Sequence, residues 1–104
     1  MVHDLAADGR TVIRLTEGAV VVDDRIDGRF VVGPAGPHEL LPRLAEAART
    51  GRGLVLQLER AWLVYEAGPP RLSVDAFDGT TIARVEVGDA AAWAAGLEAA
   101  ARGA

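Results

Sequence analysis

The chain has 104 residues, half of them apolar and a quarter charged, and its formal net charge is −4. This composition is typical of a globular domain and excludes the class of disordered chains, which combine few apolar residues with high charge. The absence of cysteine excludes disulfides, thiolate metal sites and a cysteine nucleophile. The negative charge also disfavours nucleic acid as a partner, because phosphate binding needs a clustered basic surface.

No segment has the length and apolar character of a membrane span or of a signal peptide. The sequence therefore predicts a cytoplasmic protein that does not enter a membrane. We expect a single α+β domain over 1–104, because this length can bury an unaided core. Within it, residues 1–10 are expected to be a frayed N-terminus.

The first hairpin is predicted by two early runs that are dense in β-branched residues. A two-residue turn at Glu17 and Gly18 opposes Leu15 to Val20 and gives the pair one apolar face.

The connection to a third strand, 29–32, leaves two registers open. A two-residue turn opposes Asp23 to Val32, whereas a four-residue loop opposes Asp24 to Arg29. We favour the longer loop.

A helix should follow the glycine and proline cluster at 33–37, which cannot continue a sheet. Its regular part is expected to begin at Leu40 or Leu41 and to end at Thr50, with Gly51 beyond it. Its buried stripe consists of Leu40, Leu41, Leu44, Ala45 and Ala48.

The segment 54–65 alternates leucine with mixed residues and is predicted to be extended. Glu59 and Arg60 do not tolerate the positive φ of a tight turn, so one bent strand and two short strands both remain open. Trp62 and Tyr65 are expected on opposite faces of this strand.

A second hairpin over 71–87 is indicated by Asp78 and Gly79, a strong type I′ turn signal. This turn pairs residue 71 with 86 and residue 77 with 80. The predicted apolar face consists of Leu72, Val74, Ala76, Ala83 and Val85. Phe77 falls on the polar face, where an exposed aromatic side chain is a candidate for binding.

The last element is a helix over 90–102, with Asp89 as N-cap and Gly103 past its end. Gly96 costs up to about 1 kcal/mol relative to alanine inside a helix. This cost indicates close approach of the helix to the sheet or to a second copy of itself.

Together these elements predict an antiparallel, mostly meander sheet of six to seven strands with two helices, in the order βββ-α-ββ(β)β-α. The segments 22–28 and 74–79 both begin with Val-Asp and end with Asp-Gly. A pseudo-duplicated βββα unit is therefore an alternative description of the chain.

The sequence contains no complete motif for catalysis, a cofactor or a metal. A calcium loop that starts at Asp23 would need glutamate where Pro34 stands. A zinc motif that starts at His38 would need histidine where Pro42 stands. Ser73 has no histidine near it in sequence. We therefore predict no catalytic, metal-binding or cofactor-binding residue, and an enzyme role is not supported.

The few aromatic residues are the best candidates for an interface, because large aromatic side chains concentrate in binding hot spots. The candidate interface residues are Trp62, Tyr65, Phe77, Trp93 and Gly96. The first hypothesis is a non-catalytic module that binds another protein or itself, with a homodimer as one form. The alternative is a small-molecule or small-enzyme scaffold with an apolar pocket between sheet and helices. The third is single-stranded nucleic-acid binding.

Overall fold

A computed structural model describes residues 1–103 as eight strands and two helices. The strands are β1 (Val2–Ala7), β2 (Thr11–Thr16), β3 (Ala19–Asp24), β4 (Gly28–Pro34), β5 (Leu54–Gln57), β6 (Trp62–Ala67), β7 (Pro70–Asp75) and β8 (Thr81–Glu86). The helices are α1 (Pro37–Thr50), which follows β4, and α2 (Ala90–Gly103), which follows β8.

The strands form two four-stranded antiparallel sheets, in the orders β1-β2-β3-β4 and β5-β6-β7-β8. The predicted α+β fold with antiparallel meanders and two helices is confirmed. The prediction of six to seven strands in one sheet is wrong, because there are eight strands in two sheets. Each half of the chain is thus a four-stranded meander followed by one helix. Neither helix within residues 1–103 is long and apolar enough to span a membrane.

The additional strand, β1, lies in the segment that we expected to be frayed. It pairs with β2, and a bulge between Asp4 and Ala6 shifts its register. This bulge interrupts the alternation that marks a strand in sequence, while Leu5 beside it is only 2% exposed. Burial of Leu5 and pairing with β2 therefore hold a segment that local sequence does not identify.

The two sheets meet where β4 ends and the β5–β6 turn begins. The amide of Arg60 donates a 2.8 Å hydrogen bond to the carbonyl of Val32. A Cβ atom on Gly33, which has a φ of +149°, would lie 2.6 Å from the backbone nitrogen of Glu59. Only glycine fits this close approach without displacing backbone.

Both sheets and both helices contribute to one apolar core. Its largest fully buried side chains are Tyr65, Leu5, Ile13, Leu15, Leu41, Leu44, Leu63, Leu72, Leu97, Val20, Val32 and Val74. The helices also pack against each other, and Arg49 of α1 forms a 3.3 Å ion pair with Glu98 of α2.

Helix α1 begins earlier than predicted, at Pro37, and ends at Thr50 as predicted. Proline is well tolerated in a first turn because its fixed φ matches the helix and its missing amide would have no partner there. Gly51 adopts a φ of +67° and donates its amide to Ala47. All five predicted stripe residues are buried, and Ala47 joins them.

The first hairpin has the predicted register, with Leu15 opposite Val20. The register of the third strand is wrong, because Asp24 lies opposite Gly28 instead of Arg29. The Asp24 carboxylate accepts hydrogen bonds from the amides of Ile26 at 2.8 Å and Asp27 at 3.0 Å. These hydrogen bonds shorten the β3–β4 loop from the predicted four residues to three, 25–27. The prediction considered only strand pairing and not hydrogen bonds from the Asp24 side chain.

The segment 54–65 forms two short strands, and β5 and β6 are joined by the turn 58–61. In the following hairpin the predicted pairs from Arg71–Glu86 to Val74–Ala83 are confirmed. Nearer the turn the register is wrong, because Asp75 lies opposite Thr81.

The physical reason is the turn itself. Gly79, with a φ of +90°, donates its amide to Ala76, and Ala76 donates to the carbonyl of Thr80. The loop is therefore one residue longer than a type I′ turn, and a bulge at Ile82 restores the register.

Candidate protein-binding surface

One face of the β5–β8 sheet points away from the core, and we call it the outer face. On the opposite face of β6 and β7, Leu63, Tyr65, Leu72 and Val74 are at most 1% exposed and belong to the core. The outer face consists of Val55, Gln57, Trp62, Val64, Glu66, Arg71, Ser73, Asp75, Arg84 and Glu86. Cross-strand pairing arranges these side chains in rows, one of which runs from Val55 through Val64 and Ser73 to Arg84.

An aromatic pair lies at one end of the outer face. The rings of Trp62 and Phe77 meet edge to face, with centroids 5.6 Å apart and an interplanar angle of 84°. The turn after β7 presents Phe77, which is 51% exposed, beside Trp62, which is partly buried. The structure thus brings two of the predicted interface residues together in solvent-accessible positions.

Tyr65 and Trp93 also meet, but they do so inside the core. Their rings stack with centroids 5.3 Å apart and an interplanar angle of 14°. Tyr65 is 1% exposed, and burial raises the pKa of its hydroxyl. The Trp93 indole donates a 2.7 Å hydrogen bond to the carbonyl of Leu5. These two side chains hold the fold together, and neither lies on the outer face.

Gly96 lies apart from both aromatic pairs, in an exposed part of α2. A Cβ atom built on it would meet nothing within 4 Å. The predicted close approach of this glycine to the sheet is therefore wrong for the chain by itself.

Three polar side chains of β7 leave buried atoms without a hydrogen-bond partner within residues 1–103. These atoms are Arg71 Nε, Ser73 Oγ and Asp75 Oδ1, all on the outer face. Ser73 is fully buried between its cross-strand neighbours. Buried polar atoms of this kind cost about 1–3 kcal/mol each when nothing satisfies them. The outer face therefore carries a row of unsatisfied donors and acceptors.

Arg71 also takes part in an ion pair on the outer face. Arg71 contacts Glu66 across the strands at 2.9 Å. The guanidinium holds the pKa of the Glu66 carboxyl below its usual value, and the pKa of Arg71 is raised in turn. Arg84 and Glu86 on the neighbouring β8 are exposed and form no ion pair within residues 1–103. The outer face thus combines an apolar end with a charged end.

A groove runs between α1 and β5, and we call it the β5 groove. It comprises two clefts of about 140 and 300 Å³, and Arg43 lines both. The first cleft includes Leu40 and Leu56, and the second includes Ala47 and Leu54. Charged side chains of α1 stand along the groove beside this apolar lining.

The carboxylates that the sequence placed near a calcium motif lie far from these surfaces in the β2–β4 hairpins. Asp23 contacts Arg14 at 2.6 Å and Arg29 at 2.7 Å, and Arg29 lowers the pKa of the Asp23 carboxyl. Asp24 accepts bonds from two backbone amides and from the Thr11 hydroxyl, which hold its pKa well below its usual range. Among residues 1–103, no group of three or more acidic or histidine side chains is arranged to hold a metal ion.

Val55 and Ser73 are among the outer-face residues that sequence reasoning did not name as interface candidates. Val55 is 59% exposed although it stands between buried-type leucines. Its signal was the alternation of 54–58, which assigns it to the face opposite those leucines. Ser73 had no such signal, because its burial depends on side chains from the neighbouring strands.

Comparisons with protein-family models, with curated proteins and with solved structures find no match to this chain.

Proposed function

We propose that this protein is a non-catalytic protein-binding module whose outer face binds a protein partner. The observation that carries the proposal is the edge-to-face pair of Trp62, which is partly buried, and Phe77, which is exposed. A phenylalanine that is half exposed has a hydrophobic surface that folding does not use. Tryptophan and tyrosine dominate interface hot spots, and aromatic side chains in general are enriched at the centres of interfaces.

The surroundings of the aromatic pair support this function. Val55, 59% exposed, and Val64 extend the apolar area along two adjacent strands. The exposed charges of Arg84 and Glu86 lie on the far strand of the same face. Protein interfaces likewise combine a more apolar area with polar and charged residues beside it.

The experiment compares Phe77→Ser with Val31→Ser as a matched control. Val31 is also an exposed apolar residue, 41% exposed, but it lies on the β1–β4 sheet. The wild-type chain and both variants are immobilised separately, and proteins retained from a native lysate are quantified by mass spectrometry. Loss of a hot-spot side chain typically weakens binding roughly tenfold or more.

We expect a defined partner that the wild type and Val31→Ser retain equally and that Phe77→Ser retains at least several-fold less. Circular dichroism and thermal melting of both variants would show that they are folded. If no retained protein depends on Phe77, or if both variants lose the same proteins, the outer face is not the binding surface.

A further inference from the structure

A second surface is defined by the open edge of β5, the outermost strand of its sheet. The amide of Leu58 donates to the carbonyl of Ala61 just beyond the β5–β6 ladder, and these two residues continue its register as a hydrogen-bonded pair. Since such pairs alternate along an antiparallel ladder, the backbone groups of Val55 and Gln57 point away from β6. Within residues 1–103 those N–H and C=O groups have no backbone partner on that side.

The apolar side of β5 is also incompletely covered. Leu54, Leu56 and Leu58 pack on the core but stay partly exposed. The equivalent residues of the next strands, such as Leu63 and Val74, are at most 1% exposed. The uncovered leucine surface faces the β5 groove, whose two clefts follow the same edge. The edge of β5 therefore has both unpaired backbone groups and leucine side chains that stay partly exposed.

We propose that a second copy of this chain occupies that edge, with the two β5 strands antiparallel about a two-fold axis at Leu56. In this register Val55 of each copy opposes Gln57 of the other. Both residues direct their free N–H and C=O outward, so the two pairs exchange four hydrogen bonds. The result is a continuous eight-stranded sheet that leaves neither β5 edge unpaired.

Side chains along the groove fit the same axis. Leu56 of one copy meets Leu56 of the other and closes the groove against α1. Glu39 and Arg43 line the cleft that contains Leu56, and neither forms an ion pair within residues 1–103. Rotation about the axis at Leu56 brings Glu39 of each copy toward Arg43 of the other, which makes the edge complementary to itself in charge.

The first test measures molar mass by sedimentation velocity and light scattering from micromolar to millimolar concentrations. Gln57→Pro removes an outward amide that the β5–β6 ladder does not use, and Gln57→Thr is the matched control that keeps it. We expect a concentration-dependent dimer for the wild type and for Gln57→Thr. Gln57→Pro should weaken dimerisation at least tenfold with an unchanged far-ultraviolet spectrum.

A charge exchange at the groove provides a test that does not depend on the fold of the proline variant. Glu39→Arg and Arg43→Glu should each weaken the dimer several-fold, because each places like charges across the axis. The double variant Glu39→Arg/Arg43→Glu should restore it. A dimer that both single reversals leave unchanged would refute the axis at Leu56.

A wild-type chain that stays monomeric at millimolar concentration would overturn this inference and leave the proposed function intact. Phe77→Ser lies outside the β5 edge and should dimerise like the wild type while losing its partner. If Phe77→Ser and Gln57→Pro abolished self-association equally, the two surfaces would not be separate, and the edge would not be the interface.

Discussion

The indole nitrogen of Trp93 donates a 2.7 Å hydrogen bond to the backbone carbonyl of Leu5, which joins α2 to β1 across 88 positions of the chain. The same indole stacks on the buried ring of Tyr65 in β6. One side chain therefore connects the last helix to a strand of each sheet. This connection explains how the N-terminal strand is held in place despite its weak sequence pattern.

Trp93→Phe should loosen that connection, because it removes the donor while it keeps an aromatic ring. An unsatisfied backbone carbonyl costs about 1–3 kcal/mol, so we expect a loss of that size in the free energy of unfolding. Urea denaturation measures the loss, and hydrogen exchange should locate it as reduced protection of the β1–β2 amides. Trp62→Phe is the control, because the Trp62 indole makes no hydrogen bond within residues 1–103. Equal losses for both variants would contradict the role of the Leu5 contact.

Two glycine-to-alanine variants should move stability in opposite directions. Gly33→Ala places a Cβ 2.6 Å from the Glu59 nitrogen, and overpacking of this kind costs about 1–3 kcal/mol. Gly96→Ala adds a Cβ in open space within a helix, which stabilises by up to about 1 kcal/mol. Thermal melting of the two variants measures both effects. A neutral Gly33→Ala would show that the junction between the sheets is looser than described.

Ser73→Ala should stabilise the isolated protein or leave it unchanged. The hydroxyl is fully buried and has no partner within residues 1–103, so its removal relieves a penalty of about 1–3 kcal/mol. Chemical denaturation checks this expectation. A clear destabilisation would mean that Ser73 is already hydrogen-bonded in the free protein.

Asp24 should make stability depend on pH. Its pKa is lowered in the folded state from an ordinary value of 3.8, chiefly by the amides of Asp27 and Ile26. A lowered folded pKa contributes stability above the unfolded pKa, and this contribution is lost as pH falls toward the folded pKa. Asp24→Asn should therefore be less stable than the wild type at pH 7, and the difference should shrink below roughly pH 4.

Urea denaturation at several pH values measures this difference. Asp27→Asn is the control, because the Asp27 side chain is 76% exposed and makes only a 3.5 Å ion pair with Arg10. A difference between wild type and Asp24→Asn that stays constant down to pH 2 would contradict the assignment.

Much of the fold was predictable wherever side-chain alternation and turn chemistry agreed. The hairpin at Glu17 and Gly18 and the buried pairs of β7 and β8 are examples. The predictions were wrong where a side-chain hydrogen bond or a bulge determined the backbone conformation. The Asp24 carboxylate accepts hydrogen bonds from two amides and shortens the β3–β4 loop. The bulge beside Leu5 interrupts the alternation that would have identified β1 in the sequence. The place where the two sheets meet, at Gly33 and the distant Glu59, is set by a long-range contact that no local pattern encodes.

The predicted aromatic interface residues form two pairs, one in the core and one on the outer face, and burial explains the division. Trp62 and Tyr65 were correctly placed on opposite faces, but sequence did not show which face a helix covers. Trp93 of α2 packs on Tyr65, so that face became core and left Trp62 beside Phe77 in solvent. An apolar pocket between sheet and helices was one of the expectations, but the position of the β5 groove depends on how far α1 extends over the sheet, which no local pattern encodes.

The bulge at Ile82 has a consequence for how this protein could diversify. The bulge offsets the additional residue of the turn that carries Phe77. The pairing from Arg71–Glu86 to Val74–Ala83 is therefore independent of the length of that turn. A change of tip length that a second bulge offsets would leave Leu72 and Val74 in the core. The turn that carries Phe77 can therefore change in length or sequence while the buried pairs of β7 and β8 stay in place.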